Sequence, residues 1–275
     1  MIPALALDDA GRPAVLWRDQ RTVSPELRAL DPANADLFGS QLGEAGWSAP
    51  VQISRRPAED VSASVPHLAR DGDRFVAVWS VYRGTAGAEM RRAVRVEWST
   101  RPLADAASWE RPAVLLDGAD GEVGGRSLDL AGDPRGGVAL VYSRLIRETA
   151  PPTNDLALRR LAAGAAEWGA DRPLASGDLG YFPALAIDAE GAAVVVFNVG
   201  RNRVVEVGAL RASAEEPPPG TLAAPPAVIT VAEEGAHGQP AVAIGPGGAP
   251  WLLYLHEPVD GRISEVRALR GARLG

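Results

Sequence analysis

The sequence predicts an all-β fold built from five similar units, and three observations predict it. One phrase recurs: PALALDDAGRPAVLW at 3–17, PHLARDGDRFVAVW at 66–79, LDLAGDPRGGVALVY at 128–142, PALAIDAEGAAVVVF at 183–197 and PAVAIGPGGAPWLLY at 240–254. Each copy is an apolar run, a turn rich in Asp and Gly, and a second apolar run, the pattern of two strands joined by a tight reversal. The copies begin at Pro3, Pro66, Leu128, Pro183 and Pro240, offset by 63, 62, 55 and 57 residues, so the period is roughly 60. After each hairpin come a third alternating run, such as Ala93 to Trp98 or Val204 to Leu210, and a fourth element introduced by Trp and Pro. Four short strands per unit, repeated radially, predict a β-propeller of five blades with the last incomplete, or a fragment of a larger propeller.

The whole chain, 1–275, then reads as one propeller domain with blades at approximately 3–65, 66–127, 128–182, 183–239 and 240–275. The fourth element of blade one opens at Trp47-Ser-Ala-Pro50, that of blade two at Trp109-Glu-Arg-Pro112, and that of blade three at Trp168 to Pro173. In blade four Pro225-Pro226 stands in without tryptophan. These marks follow the first position by 44, 43, 40 and 43 residues. A single four-stranded sheet cannot bury both faces alone, so the blades must lean on one another, and Trp47, Trp109 and Trp168 are expected to pack between them. Ala150 to Asp155 and Glu215 to Gly220 are expected to be exposed connections, because their prolines exclude central strands. Blade five stops at Gly275, about eight residues before its Trp-Pro element would be due by that spacing. A three-stranded last blade, further blades or a partner chain at this incomplete repeat are the alternatives.

Composition narrows the function. With 46% hydrophobic and 23% charged residues the chain has ample material for a packed interior. A net charge of −7 excludes a nucleic-acid ligand, since phosphate binding needs clustered cations, and it disfavours anionic membrane surfaces. Every basic residue is arginine, which reads as the bias of a high-GC bacterial genome. There is no cysteine, so disulfides, thiolate metal sites and cysteine nucleophiles are excluded. No run approaches the ~18 apolar residues of a membrane span, so no membrane insertion is expected. The N-terminus carries no signal sequence, and its apolar residues already belong to the first phrase. An extracellular or cell-surface bacterial protein is the expectation, with a cytoplasmic one left open.

The Gly46 to Val51 element, Gly-Trp-Ser-x-Pro-Val, together with the Pro183 to Gly191 phrase, resembles the sialidase-like propeller superfamily. The resemblance covers nearly the whole chain through repeat texture. That superfamily often carries an Asp-box, Ser-x-Asp-x-Gly-x-x-Trp. Here Asp105-Ala-Ala-Ser-Trp109 is shortened and lacks the glycine, and Gly164-Ala-Ala-Glu-Trp168 lacks the aspartate. True sialidases imply three arginines on the substrate carboxylate, a tyrosine–glutamate pair and an acid/base aspartate, none of which maps onto numbered positions of this chain.

One mouth of a propeller is built by segments entering each first strand and leaving each second strand, and ligand sites collect on such loops. Counting outward from each hairpin turn places Asp178 opposite Arg201, with Tyr181 just inside. It places Glu122 opposite Arg147, with Arg144 closer to the channel, and His237 opposite Glu257, with His256 adjacent. Blade one adds Arg18 and Asp19, and blade two adds Glu59, Asp60 and Arg83. Carboxylates, arginines, a tyrosine and two histidines thus converge on one mouth, which suits a sugar or an anionic group clamped by arginine. The bland alternative is a solvated rim, where exposed ion pairs contribute little. No cofactor and no metal is expected: His237, His256 and Glu257 lack a tight ligand spacing. His67 and Asp129 sit within first strands, His67 as a structural histidine and Asp129 as an acid that can hold water. The expected function is a non-catalytic module binding a glycan or protein ligand. A sialidase-like glycoside hydrolase is the alternative, and a scaffold segment of a larger surface protein the second alternative. The hydrolase requires two carboxyls at ~5–5.5 Å or ~6.5–9.5 Å.

Overall fold

A computed structural model of the chain describes residues 3–30, 35–54, 61–83, 92–117, 122–146, 153–175, 182–199, 206–214, 236–257 and 265–270. Its contacts fall into two compact units, 1–125 and 126–275. All regular structure is antiparallel sheet apart from one six-residue helix.

In the first unit, repeat one contains β1 (Ala4–Leu7), β2 (Pro13–Asp19), helix α1 (Pro25–Leu30), β3 (Asp36–Gly43), β4 (Gly46–Trp47) and β5 (Val51–Gln52). The strands pair in the order β1-β2-β3, with β4 and β5 both on β3. Repeat two contains β6 (Val61–Asp71), β7 (Arg74–Arg83), β8 (Arg92–Pro102) and β9 (Ala113–Asp117), paired in sequence order. Strand alternation sends Ala4, Ala6, Ala14, Leu16, Leu37 and Ile53 to one face of repeat one. There they form a single buried cluster with Leu68, Phe75, Ala77, Trp79 and Val81 of repeat two. This is the sheet-on-sheet burial that the repeat demands, and each fully buried large side chain contributes on the order of 1.5–3 kcal/mol.

The second unit begins within β10 (Glu122–Gly132). It continues with β11 (Val138–Ile146), β12 (Thr153–Leu161) and β13 (Arg172–Ala175) of repeat three, then β14 (Ala184–Ile187), β15 (Ala193–Val199) and β16 (Glu206–Ala212) of repeat four. Repeat five supplies β17 (Ala236–Ile244), β18 (Pro250–Glu257) and β19 (Glu265–Arg270). Ala139, Val141, Leu156 and Leu158 of repeat three are buried against Leu185, Val195, Phe197 and Leu210 of repeat four. Val196 and Ala209 on the opposite face of repeat four are buried with Leu252 and Tyr254 of repeat five.

The turn aspartates explain why the hairpins close. Asp8 accepts hydrogen bonds from the backbone N–H groups of Ala10 and Arg12, both at 2.9 Å, and Asp188 from that of Ala192 at 2.7 Å. Each is buried, and each carries an arginine: Arg12 on Asp8, Arg74 on Asp71, Arg135 and Arg160 on Asp133, and Arg211 on Asp188. Repeat five has Gly245 at this position, and a Cβ there would lie 2.2 Å from the Trp251 indole nitrogen, so the ring occupies the space of the missing side chain.

Three polar ties cross between repeats. Gln41 of β3 donates to Asp8 at 3.1 Å and accepts from Arg101 of β8 at 2.7 Å. Arg101 is buried, flanked by the rings of Phe75 at 4.8 Å and Trp109 at 5.3 Å, and burial lowers its pKa to about 10. Arg160 of β12 donates to Asp133 at 3.1 Å and to the Gly191 carbonyl in repeat four at 2.8 Å. Asp129 accepts the backbone N–H of Leu185 at 2.8 Å, so this acid caps the edge of the next repeat's first strand.

Two expectations are corrected here. Trp109 packs between repeats, within 3.6 Å of a Cβ built on Gly39, but Trp47 is 54% exposed. The two share a signature and differ in what covers them. The hairpin count also fails near prolines. In repeat five the register runs regularly from Ile244↔Pro250 to Ala241↔Leu253 and then slips by one, so that His237 faces His256 and Ala236 faces Glu257. Repeat two slips in the same way between Ser64 and Pro66. Pro66 and Pro240 have no N–H to give the ladder, and a β-bulge absorbs the defect.

Candidate functional site

The mouth-end residues of repeat one are the most fully determined. β2 ends in Trp17-Arg18-Asp19, which lie opposite Phe38, Leu37 and Asp36 of β3. Asp19 accepts from the Trp17 indole at 3.3 Å, from the Arg21 backbone at 2.9 Å, and from the Arg21 guanidinium at 2.9 and 2.5 Å. The Arg21 guanidinium, ahead of an opposing desolvation effect, holds the Asp19 carboxyl down at about 2. The same guanidinium lies 4.9 Å over the Phe38 ring. Arg18 donates to the Ala63 carbonyl at 2.9 Å, which ties repeat one to repeat two.

Asp36 is a residue that sequence reasoning missed. It directly opposes Asp19, is 2% exposed, and accepts from Thr22 Oγ1 at 2.5 Å and Ser54 Oγ at 3.3 Å. Like charges directly opposite each other on a sheet repel, and here each carboxylate has its own donors to offset that. The charged pairing has no periodic signal, because Asp36 opens a strand without belonging to a repeated phrase.

A second missed feature recurs in three repeats: the aromatic that closes the phrase is matched to an acid held by an arginine. In repeat one the set is Trp17, Asp19 and Arg21. In repeat two the Trp79 indole donates to Glu97 at 3.2 Å, and Glu97 accepts from Arg95 at 2.7 Å. In repeat three Tyr142 is buried beside Asp171, which is paired with Arg159. Burial pushes the Tyr142 hydroxyl up, and the Asp171 charge adds to it. A buried indole or phenol needs an acceptor, and a buried carboxylate needs a cation. These acids are thereby engaged in holding the sheets.

In the second unit, Arg144 of β11 lies opposite Asp155 of β12. Ser143 is 2% exposed, and its Oγ, like Arg144 Nε, is buried without a hydrogen-bond partner. Asn198 continues the Val196 face of β15, and His256 continues the Tyr254 face of β18. Since Val196 and Tyr254 share one cluster, Asn198 and His256 both lie at the border of repeats four and five, 7% and 4% exposed. The Asn198 Oδ1 is buried and unpartnered.

Of the other candidates, Arg83, Glu122, His237 and Glu257 have backbones on β7, β10, β17 and β18. Asp60, Asp178, Tyr181 and Arg201 lie outside the described residues, as does Glu59. The structure therefore juxtaposes His237 and His256 by register, and Asp19 with Asp36. Among the described residues no group of three or more His, Asp or Glu is placed to hold a metal ion, and no helix is long and apolar enough to cross a membrane.

Comparison with protein-family models gives no match, and comparison with curated protein sequences gives none either. Solved structures do match. A protein of unknown function from Dyadobacter fermentans superposes with a TM-score of 0.65 at 13% identity, covering 98% of this chain and 78% of that one. A polysaccharide lyase, the PL25 ulvan lyase, gives 0.58 at 10% identity over 97% of this chain and 63% of its own. The Trypanosoma rangeli sialidase gives 0.58 at 9% identity over 99% of this chain and 46% of its own. The chain thus spans less than two thirds of the lyase and under half of the sialidase. At these identities the likeness is one of fold: all-β and propeller-type, consistent with the sialidase-like superfamily.

Proposed function

We propose that the chain is one propeller-type array of five blades whose mouth binds a glycan without catalysing a reaction, as part of a secreted or surface-exposed bacterial protein. The observation that carries this reading is the set of buried, unpartnered polar atoms at the mouth ends of repeats three and four: Ser143 Oγ, Arg144 Nε and Asn198 Oδ1. Groups of this kind are stabilised by donors and acceptors such as sugar hydroxyls, and leaving them unmatched is unfavourable by about 1–3 kcal/mol each. Asp19 supports the non-catalytic side: a carboxyl held at about 2 and already accepting from indole and guanidinium is a poor general acid near neutrality. The fold likeness to proteins named as a lyase and a sialidase supports the carbohydrate side.

A glycan array on the purified chain tests the proposal, with Arg144→Ala and Asn198→Ala as variants alongside Asp178→Ala and Arg201→Ala. The expected outcome is retention of a defined sugar class, weakened about tenfold by losing one such hydrogen bond. Retention of no sugar sinks the reading.

A sialidase-like glycoside hydrolase is the second reading, favoured by the placement of Asp19 directly opposite Asp36. It predicts turnover of aryl glycosides that Asp36→Asn abolishes and Arg144→Ala leaves measurable.

A further inference from the structure

Equivalent phrase positions are buried to the same degree in the interior repeats and differ sharply at the two end repeats. The residue before the closing aromatic is Leu16, Val78, Val141, Val196 and Leu253 in repeats one to five. The first four are at most 1% exposed, and Leu253 is 44% exposed. The third phrase position shows the reverse end. Leu68, Leu130 and Leu185 are 8, 8 and 6% exposed, but Leu5 of repeat one is 60% exposed.

These exposed residues are not scattered. Leu5 and Leu7 alternate with Ala4 and Ala6, so they lie on the face of repeat one that is turned away from repeat two. Leu7 is 50% and Trp47 54% exposed, and Trp47 stands opposite Leu42. In repeat five, Ala241 and Ala243 are exposed together with Leu253, on the face turned away from repeat four. End units of a stacked array stay soluble when their outer faces are polar. Both end faces here retain the apolar residues of the phrase.

We infer that the two end faces are the halves of one interface between copies of this chain, the Leu5, Leu7 and Trp47 face of one copy seating on the Ala241, Ala243 and Leu253 face of the next. The occupant follows from the established interface between repeats one and two, which this contact continues by one step. There Leu68 and Trp79, at the positions of Leu5 and Trp17, pack on Ala4, Ala6 and Leu16, at the positions of Ala241, Ala243 and Leu253. Each chain carries both halves, so the contact is head-to-tail: it closes a ring of copies or extends as a chain of them.

Sedimentation and native mass measurement on the full chain test this. Wild type is expected to form species larger than a monomer that grow with concentration. Leu5→Arg and Leu253→Arg each retain one intact face, so each alone sediments as a single chain, while their mixture forms a dimer and nothing larger. That rescue on mixing also shows that both variants are folded. A wild type that is monomeric at every concentration overturns the inference, as does a larger species that neither variant dissolves. Because the chain has no cysteine, the double variant Leu5→Cys with Leu253→Cys reports the connection directly. Oxidation to linked multimers supports the inference, and a disulfide confined to one chain overturns it.

Discussion

The border of repeats one and two and the outer face of repeat one are made from the same phrase, yet they differ in nearly everything that decides stability. At the border, Trp79 is wholly buried with its indole on Glu97, and Leu16 is 1% exposed. On the outer face Trp47 and Leu5 are mostly in water. Alternation decides which way a side chain points, and the neighbouring sheet decides whether pointing there removes it from solvent. A repeat therefore encodes an interface only as half of a pair.

The largest expected contrast is between tryptophans. In dilute solution Trp79→Ala destabilises the chain by about 3–5 kcal/mol, the range for deleting a buried large side chain, and leaves Glu97 without its indole donor. Trp47→Ala changes stability by less than about 0.5 kcal/mol, as surface substitutions do. Urea unfolding of the two variants checks this, and equal losses would break the contrast.

A step smaller is the aliphatic pair. Leu16→Ala is expected to cost about 2–5 kcal/mol, since a cavity adds to the lost transfer free energy, and Leu253→Ala less than about 1 kcal/mol.

Glycines sharpen the contrast within one strand. A Cβ on Gly39 would meet Ile53 and Leu16 side-chain atoms at 2.9 Å, whereas one on Gly43 meets only the Gly46 carbonyl at 3.7 Å. Gly39→Ala should therefore lower stability by about 1–3 kcal/mol through overpacking, and Gly43→Ala should leave the melting temperature nearly unchanged.

The smallest effect is one of pH. Burial works to raise the Asp188 carboxyl, but the Arg211 guanidinium and the Ala192 N–H together hold it below the usual 3.8. A depressed folded pKa gives stability that is present above the unfolded value and lost as pH falls through the folded one, so the loss begins below about 3.8. Asp188→Asn should flatten that part of the melting-temperature profile and leave the neutral-to-alkaline limb parallel to wild type.

The hairpins were legible in the sequence because alternation and an Asp-x-x-Gly turn both act within fifteen residues, and β14 with β15 follows the phrase closely. The register beyond Pro66 and Pro240 was not, since counting assumes an unbroken ladder and a missing N–H breaks it. The candidate site was legible only as a collection of polar mouth residues. Arg18 and Asp19 stand at the end of β2 as the count implies, but their partners Ala63 and Arg21 come from outside the phrase. The acids that hold the closing aromatics occupy a different place in each repeat: Asp19 two residues on, Glu97 on the next strand, Asp171 before the last. No repeat alignment brings them together. Asp36 is found only by pairing β2 with β3.

The packing of one repeat on the next is tested most directly by a double-mutant cycle across the first border, Leu16→Ala in repeat one and Trp79→Phe in repeat two, measured by urea unfolding. Both side chains belong to one buried cluster, so the pair is expected to depart from additivity by about 0.5–3 kcal/mol. Strict additivity, with each change felt as though the other residue were absent, would contradict the account.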